Sequence, residues 1–257
     1  MLSKAKLKLI RSLELKKNRT QEGLFVAEGP KVTGDLLPYF PCRLLIATSE
    51  WLSHAPSLPK TEVIEVTQDE LAKASFLRTP QEVLGVFEMR GSMQSGAQEK
   101  GDALPYDKEL VLALDDVQDP GNLGTIIRIA DWFGIRHIIC STGTADAFSP
   151  KVVQATMGAI ARVKIHYTDL PSYLSTLSKG TPVYGTFLEG DDIYTLPLSD
   201  HGIIVMGNEG NGISPATAKT VTDKLFIPNW PEGAKTSESL NVAVATAITC
   251  SEFRRRR

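Results

Sequence analysis

Cysteine is scarce in this 257-residue chain: Cys42, Cys140 and Cys250 are widely spaced, odd in number and without a CxxC pair. Such a set builds neither a disulfide framework nor a zinc site, and it fits a reducing, cytoplasmic setting. Long apolar runs are also missing. No stretch approaches the eighteen or so apolar residues of a membrane span, and the first residues carry charges where an export signal needs an apolar run. Neither a membrane protein nor an exported one is expected. Charge of one sign is not in excess, with 28 Lys and Arg against 30 Asp and Glu, which argues against a globally basic coat for nucleic acid. The glycine fingerprints of nucleotide folds are lacking too. There is no GxGxxG, and no Lys-Ser/Thr follows the glycines of PGNLG to make a P-loop, so a dinucleotide enzyme is disfavoured.

What is there is an ordinary globular composition, 42% hydrophobic and 23% charged, long enough for two modest domains. The even charge hides an asymmetry. Lys4, Lys6, Lys8, Arg11, Lys16, Lys17 and Arg19 crowd the first twenty residues against Glu14 alone. Residues 91–107, GSMQSGAQEKGDALPYD, have no apolar periodicity and read as a linker between an N-terminal domain, 1–90, and a C-terminal domain, 108–257. The first domain reads as small α/β: a basic helix over 3–17, strands near 24–28, 43–48, 62–66 and 84–89, and helices starting near Pro30 and Thr67. After the linker, apolar runs at 109–117, 136–141, 163–167, 182–188, 202–207 and 225–228 alternate with helical segments. That is the pattern of a mostly parallel sheet with helices on both faces. Ligands in such sheets sit beyond the carboxyl ends of the strands, so the loops there are the places to search.

Three loops stand out. In DDVQDPGNLGTIIRIADWFGI, 115–135, a helix from about Leu123 sets Ile126, Ile129, Ala130 and Phe133 at core spacing and turns Arg128 away from them, with Asn122 placed to cap its entrance. A capped turn with a solvated arginine is the plain alternative. In GIIVMGNEGNGIS, 202–214, a strand runs into Gly207, Gly210 and Gly212 around Asn208 and Glu209, before Ser214-Pro215 opens a helix. Three glycines suggest backbone lying against something flat, and a carboxylate there repels phosphate, so Glu209 suits an amine, a ribose hydroxyl or the Arg128 guanidinium. A tight turn closed by Glu209 on local N–H groups is the alternative. In LFIPNWPEGAKTSESLNVAVATAITCSEFRRRR, 225–257, Ser237 or Ser239 is expected to cap a small-residue helix with Ser239 and Asn241 in its first turn. The arginine tail complements that helix's negative end. His54, His137, His166 and His201 lie outside these loops and read as structural or surface residues; no metal is required.

PGNLGTIIRIA, VMGNEGNGIS and IPNWPEGAKTSESLNVAVA, in that order at the end of the chain, resemble the three motifs of the SpoU/TrmH family of RNA methyltransferases, within the SPOUT superfamily. The resemblance covers about 105–257. KAKLKLIRSLELKKNR followed by GLFVAEGPKV is similar to the ribosomal-protein-like RNA-binding domain of many members. The family implies a trefoil knot in the C-terminal part, which pattern alone never proposes. It also implies a homodimer, S-adenosylmethionine as methyl donor, and methylation of a ribose 2′-hydroxyl in ribosomal or transfer RNA. Carried over, it makes Arg128 the catalytic arginine, with Asn122, Glu209, Ser239 and Asn241 completing the catalytic motifs. Gly207, Ile227 and Leu240 would hold the donor on loops shaped by Asn208, Gly210, Gly212 and Pro228. Two departures stand out: the stretch from Ile227 to Ser239 is longer than in familiar members, and Ala243 replaces a frequent serine. The basic N-terminal helix would contact RNA phosphates. A non-catalytic RNA-binding or ribosome-assembly protein on the same fold is the alternative function.

Overall fold

The computed structural model describes residues 2–89, 104–231 and 237–255; residues 91–103 of the expected linker lie outside them. The chain forms two compact units, Met1–Ser95 with Asp146–Ala161, and Gly96–Ala145 with Arg162–Arg257.

In the first unit, β1 (Leu24–Glu28), β2 (Cys42–Ala47), β3 (Glu62–Glu65) and β4 (Val83–Glu88) lie in the order β1-β4-β2-β3. β4 is antiparallel to both neighbours and β2 is parallel to β3. All of β1 is buried because both its faces are covered. Leu24 and Val26 join Ile10, Leu13, Leu71 and Val86 in one core. Phe25 turns the other way onto Phe40, Phe87 and Phe148, the last with its ring centroid 4.8 Å away. Phe148 comes from the stretch 146–161, whose helix, Pro150–Ala155, packs on β1.

The basic helix expected over 3–17 is two helices, α1 (Lys4–Ser12) and α2 (Lys16–Glu22). Arg19 holds the break between them: its guanidinium donates to the carbonyls of Leu13 at 2.7 Å and Glu14 at 2.6 Å and pairs with Asp146. Arg19 is only 2% exposed, so the expectation that it contacts RNA is corrected; burial and three acceptors engage it inside the unit. Arg11 is engaged as well, donating to the Ser75 carbonyl at 2.7 Å and lying over the Phe76 ring, and Lys6 pairs with Glu62. Lys4, Lys8, Lys16 and Lys17 are exposed. Helix α3 (Pro30–Leu36) starts at the expected proline. After the short α4 (Ser49–Leu52), α5 (Gln68–Ala74) is opened by Thr67 and Glu70 in a capping box. The helix Pro150–Ala155 is α7 in chain order.

In the second unit, β5 (Leu110–Leu114), β6 (His137–Ser141), β7 (Lys164–Thr168), β8 (Val183–Asp192), β9 (Gly202–Met206) and β10 (Asp223–Phe226) form one sheet in the order β10-β8-β9-β5-β6-β7. Every adjacent pair is parallel. β5 and β9 are buried along their whole length, as expected of apolar runs covered on both faces. Because all strands point one way, the loops after β5, β9 and β10 leave from the same edge. The helices are α6 (Pro120–Trp132), α8 (Leu170–Ser175), α9 (Pro215–Ala218) and α10 (Val242–Arg255), and α10 packs on α6. Arg254 stands in the last turn of α10, as expected, and its side chain donates to the Phe133 carbonyl at 2.8 Å, at the C-terminal end of α6.

His137 and His166 stack across β6 and β7, their rings 5.5 Å apart and Nδ1 of one 3.2 Å from Nε2 of the other. Burial, then the charges of His137 and Lys164, lower the His166 pKa from 6.5 to about 4. Between those values the unfolded chain binds a proton that the folded one refuses, so stability falls as pH drops from about 6.5 towards 4. The thermal melting temperature of His166→Gln should therefore fall less between pH 7 and pH 5 than that of the wild type. Parallel curves would remove His166 from the acid sensitivity.

Candidate active site

The site is assembled where β5 and β9 end side by side. Asp115, 5% exposed, accepts the Ser214 N–H at 2.8 Å, and its own N–H donates to the Met206 carbonyl at 2.9 Å. Asn208 Nδ2 donates to the Asp116 carbonyl at 2.8 Å. The loop after β9 is thus pinned to the loop after β5 before any functional side chain is considered.

The glycine-rich loop closes on itself. Asn208 and Gly212 exchange backbone hydrogen bonds of 2.9 and 2.8 Å, and Asn208 Oδ1 accepts the N–H groups of Gly210 and Asn211 at 2.9 and 3.1 Å. A Cβ on Gly207 would stand 2.3 Å from the Gly212 carbonyl carbon, and Gly212 has φ +66°. Two of the three glycines are therefore required by the loop's own backbone, which corrects the reading that all three face a flat ligand. A Cβ on Gly210 would meet only Asn208 Oδ1, at 3.6 Å.

Helix α6 begins at Pro120, not near Leu123, because Asp119 is its cap: Asp119 Oδ1 accepts the Asn122 N–H at 2.8 Å. Asn122 was expected to cap. It lies instead in the first turn with its side chain turned to the other two loops. Its Nδ2 donates to Glu209 Oε1, and its Oδ1 accepts from Asn241 Nδ2 at 3.0 Å; Asn241 Nδ2 also lies 2.8 Å from Glu209 Oε1. Glu209 thus gathers two side-chain amides rather than an amine or the Arg128 guanidinium. Asn241 Oδ1 accepts the N–H groups of Ala243 and Val244 at 3.0 and 3.3 Å, so Asn241 caps α10 in place of Ser237 or Ser239. Ser239 and Leu240 precede the helix and are exposed.

Arg128 lies two turns along α6 from this cluster. It is exposed and has no hydrogen-bonding or ionic partner among the described residues. Its neighbours Ile126 and Ile127 are buried, which leaves the arginine on the outward face. A cleft of about 260 Å³, lined by Val117, Gln118, Asp119, Asn208, Glu209 and Gly210, opens beside the cluster. Its polar lining is acidic or amide with no cation, which suits a ligand that donates hydrogen bonds. Ile227 and Pro228, just past β10, are half-buried, and residues 232–236 of the loop that follows lie outside the described residues. Asp115 and Asp119 were missed as site-building residues, although Asp119-Pro120 is a legible cap signature.

A model of the SpoU rRNA methylase family matches residues 109–251, across all three of these loops. The chain belongs to that family. A model of the MRM3-like substrate-binding domain matches residues 4–85. Over 97% of its length, this SpoU-family chain is 32% identical to 96% of RlmP of Bacillus subtilis, a 23S rRNA (guanosine(2553)-2′-O)-methyltransferase. Among solved structures, it resembles a TrmH-family protein from Porphyromonas gingivalis over the whole of both chains, with TM-score 0.88 and 44% identity. It also resembles the AdoMet-bound rRNA methyltransferase of Sinorhizobium meliloti, with TM-score 0.83 and 32% identity over all of this chain and 96% of that one.

The two loop glycines should separate in thermal melts. Gly207→Ala forces a Cβ into backbone and should destabilise by about 1–3 kcal/mol or more. Gly210→Ala should stay within about 0.5 kcal/mol of wild type. Equal losses would mean that the closing of this loop does not set the demand for glycine.

Proposed function

We infer that this SpoU-family chain is an RNA 2′-O-ribose methyltransferase that uses S-adenosylmethionine and acts on ribosomal or transfer RNA. The observation that carries the reading is the joining of Asn122, Glu209 and Asn241, one from each motif, with Arg128 left unpartnered on the same helix. An assembled set of this kind also speaks against a non-catalytic RNA-binding protein on the same fold.

The residues present fit the methyl donor. Leu240 is 45% exposed and Ile227 and Pro228 are half-buried, apolar side chains of the sort an adenine ring lies against. Together with the backbone at Gly207, Asn208, Gly210 and Gly212, they would hold it. When bound, S-adenosylmethionine supplies an electrophilic methyl group. Arg128 holds an RNA phosphate bidentately and stabilises the oxygen of the 2′-hydroxyl as its proton leaves to phosphate or water. A guanidinium is a poor base in water, so orientation and charge are the roles its chemistry favours. Glu209 does not reach the reaction directly; it fixes the amides of Asn122 and Asn241, and with them the first turns of α6 and α10. Ser239 stands exposed at the approach to α10, within reach of an incoming ribose as a hydrogen-bonding hydroxyl.

Five further features belong to this reading. Lys4, Lys8 and Lys17 offer phosphate contacts on the first unit, with Lys6, Arg11 and Lys16 contributing only beside their internal partners. Two copies of the chain associate, in keeping with Val244, 48% exposed, on α10. The C-terminal domain carries a trefoil knot, in keeping with family membership. The enzyme works in the cytoplasm, in keeping with three buried, free cysteines. The 1–90 domain joined to 108–257 is the division of labour proposed, RNA binding before catalysis.

Transfer of labelled methyl to RNA from cells lacking the gene, read as alkali-resistant dinucleotides, tests the reaction. Arg128→Ala should lose methyl transfer by about two or more orders of magnitude, with melting temperature and donor affinity unchanged. Full turnover in that variant would take Arg128 out of the mechanism.

A further inference from the structure

We propose that Gln118 is a specificity-determining residue of the methyltransferase, turned into the cleft beside Glu209 by the carboxylate of Asp116 and reading there the base of the nucleotide to be methylated, a guanine. A backbone outlier points to it. Asp116, directly after the buried Asp115, has φ +62°, in the left-handed region that is uncommon outside glycine. Residues held there cluster at functional sites and persist only where their surroundings fix them. Both polar groups of the Asp116 backbone are used: its N–H donates to Ser141 Oγ at 2.9 Å, and its carbonyl accepts from Asn208 Nδ2 at 2.8 Å. Its carboxylate lies against Gly143, where a Cβ would stand 2.0 Å from Oδ1. Next along the chain, Val117 is buried and its carbonyl accepts the Ala145 N–H at 2.9 Å. Gln118 therefore leaves a fixed loop.

The Asp116 carboxylate sets which end of the amide is free. Gln118 Nε2 donates to Asp116 Oδ2 at 2.9 Å, and because an ionised carboxylate only accepts, Oε1 is the end left for a ligand. Glu209 Oε1 is taken by Asn122 and Asn241, which leaves Oε2 without a partner among the described residues. The cleft that Gln118 and Glu209 line thus offers these two acceptors and no cation. Of the RNA bases, guanine alone carries two donors side by side, N1–H and the N2 amino group, on its Watson–Crick edge. Adenine and cytosine set a ring acceptor beside their amino group, and uracil sets a carbonyl on each side of its N–H, so each would turn a lone pair towards the carboxylate. Unpaired bases are read along that edge. Strand order keeps the cleft apart from the apolar wall of the donor site: Ile227 and Pro228 follow β10, which lies beyond β8, on the opposite side of β9 from β5. This role rests on the methyltransferase reading of the chain and names the base beside its target hydroxyl.

The full-length protein is titrated with decaribonucleotides of uridine that carry one central guanosine, inosine or adenosine. Methyl transfer to ribosomal and transfer RNA from cells lacking the gene is resolved by nucleoside alongside. The guanosine strand should bind about tenfold tighter than the adenosine strand and than the inosine strand, whose base lacks the N2 amino group. Gln118→Leu should lose that preference while its melting temperature and the salt dependence of binding stay those of the wild type. Asp116→Gly, which suits the left-handed backbone and frees the amide, should weaken the preference. The label should appear as 2′-O-methylguanosine. Equal affinities for the three strands in the wild type, or a preference that survives Gln118→Leu, overturn the proposal. Label in a different 2′-O-methylnucleoside overturns it too and leaves the methyltransferase reading intact. A guanosine preference that Gln118→Leu removes, without transfer to any RNA, supports the base contact and counts against the enzymatic reading alone.

Discussion

One carboxylate oxygen organises the site. Glu209 Oε1 takes the side-chain amides of Asn122 and Asn241, residues 87 positions before it and 32 after it. Charge-assisted hydrogen bonds are roughly twice as strong as neutral ones, so this node can hold the first turns of α6 and α10 to the glycine-rich loop. Its position depends on the parallel sheet. β5 and β9 are paired along five residues, and that register places Asp115 next to the start of the glycine-rich loop.

Helix α6 carries the consequence outward. Asp119 fixes its first turn, and its far end is closed by Gly134 in the left-handed region, with the Ile135 N–H on the Ala130 carbonyl at 2.8 Å and Arg254 on the Phe133 carbonyl. A helix held at both ends presents Arg128 at a defined height above the Asn122 cluster. A guanidinium at that height, with no internal partner, is suited to hold a phosphate and stabilise a developing charge.

Much of this was legible beforehand. The six apolar runs of the second unit became six parallel strands, and the central β5 and β9, short apolar runs between breakers, are the ones covered on both faces. Arg128 read as outward-facing from helical spacing alone. The three motif loops could be named, but not what bonds to what within them. Asn122 and Ser239 both read as caps because Asn and Ser favour that role; Asp119 and Asn241 took it because each lies one residue before its helix starts. The glycines of 207–212 looked like a ligand cradle, and two of them answer to contacts inside their own loop. Arg19 read as one more basic surface residue, and only its burial among two carbonyls and Asp146 shows otherwise.

The sequence by itself determined the elements, the order of the three loops and the outward placement of Arg128, because these follow from local spacing along one helix or strand. Tertiary structure decided which atoms meet. The partners of Glu209, the pinning of Asp115 to Ser214 and the seating of residues 146–161 against β1 all join positions far apart in the chain. Their pairing depends on sheet register and strand order, and local pattern carries no record of either.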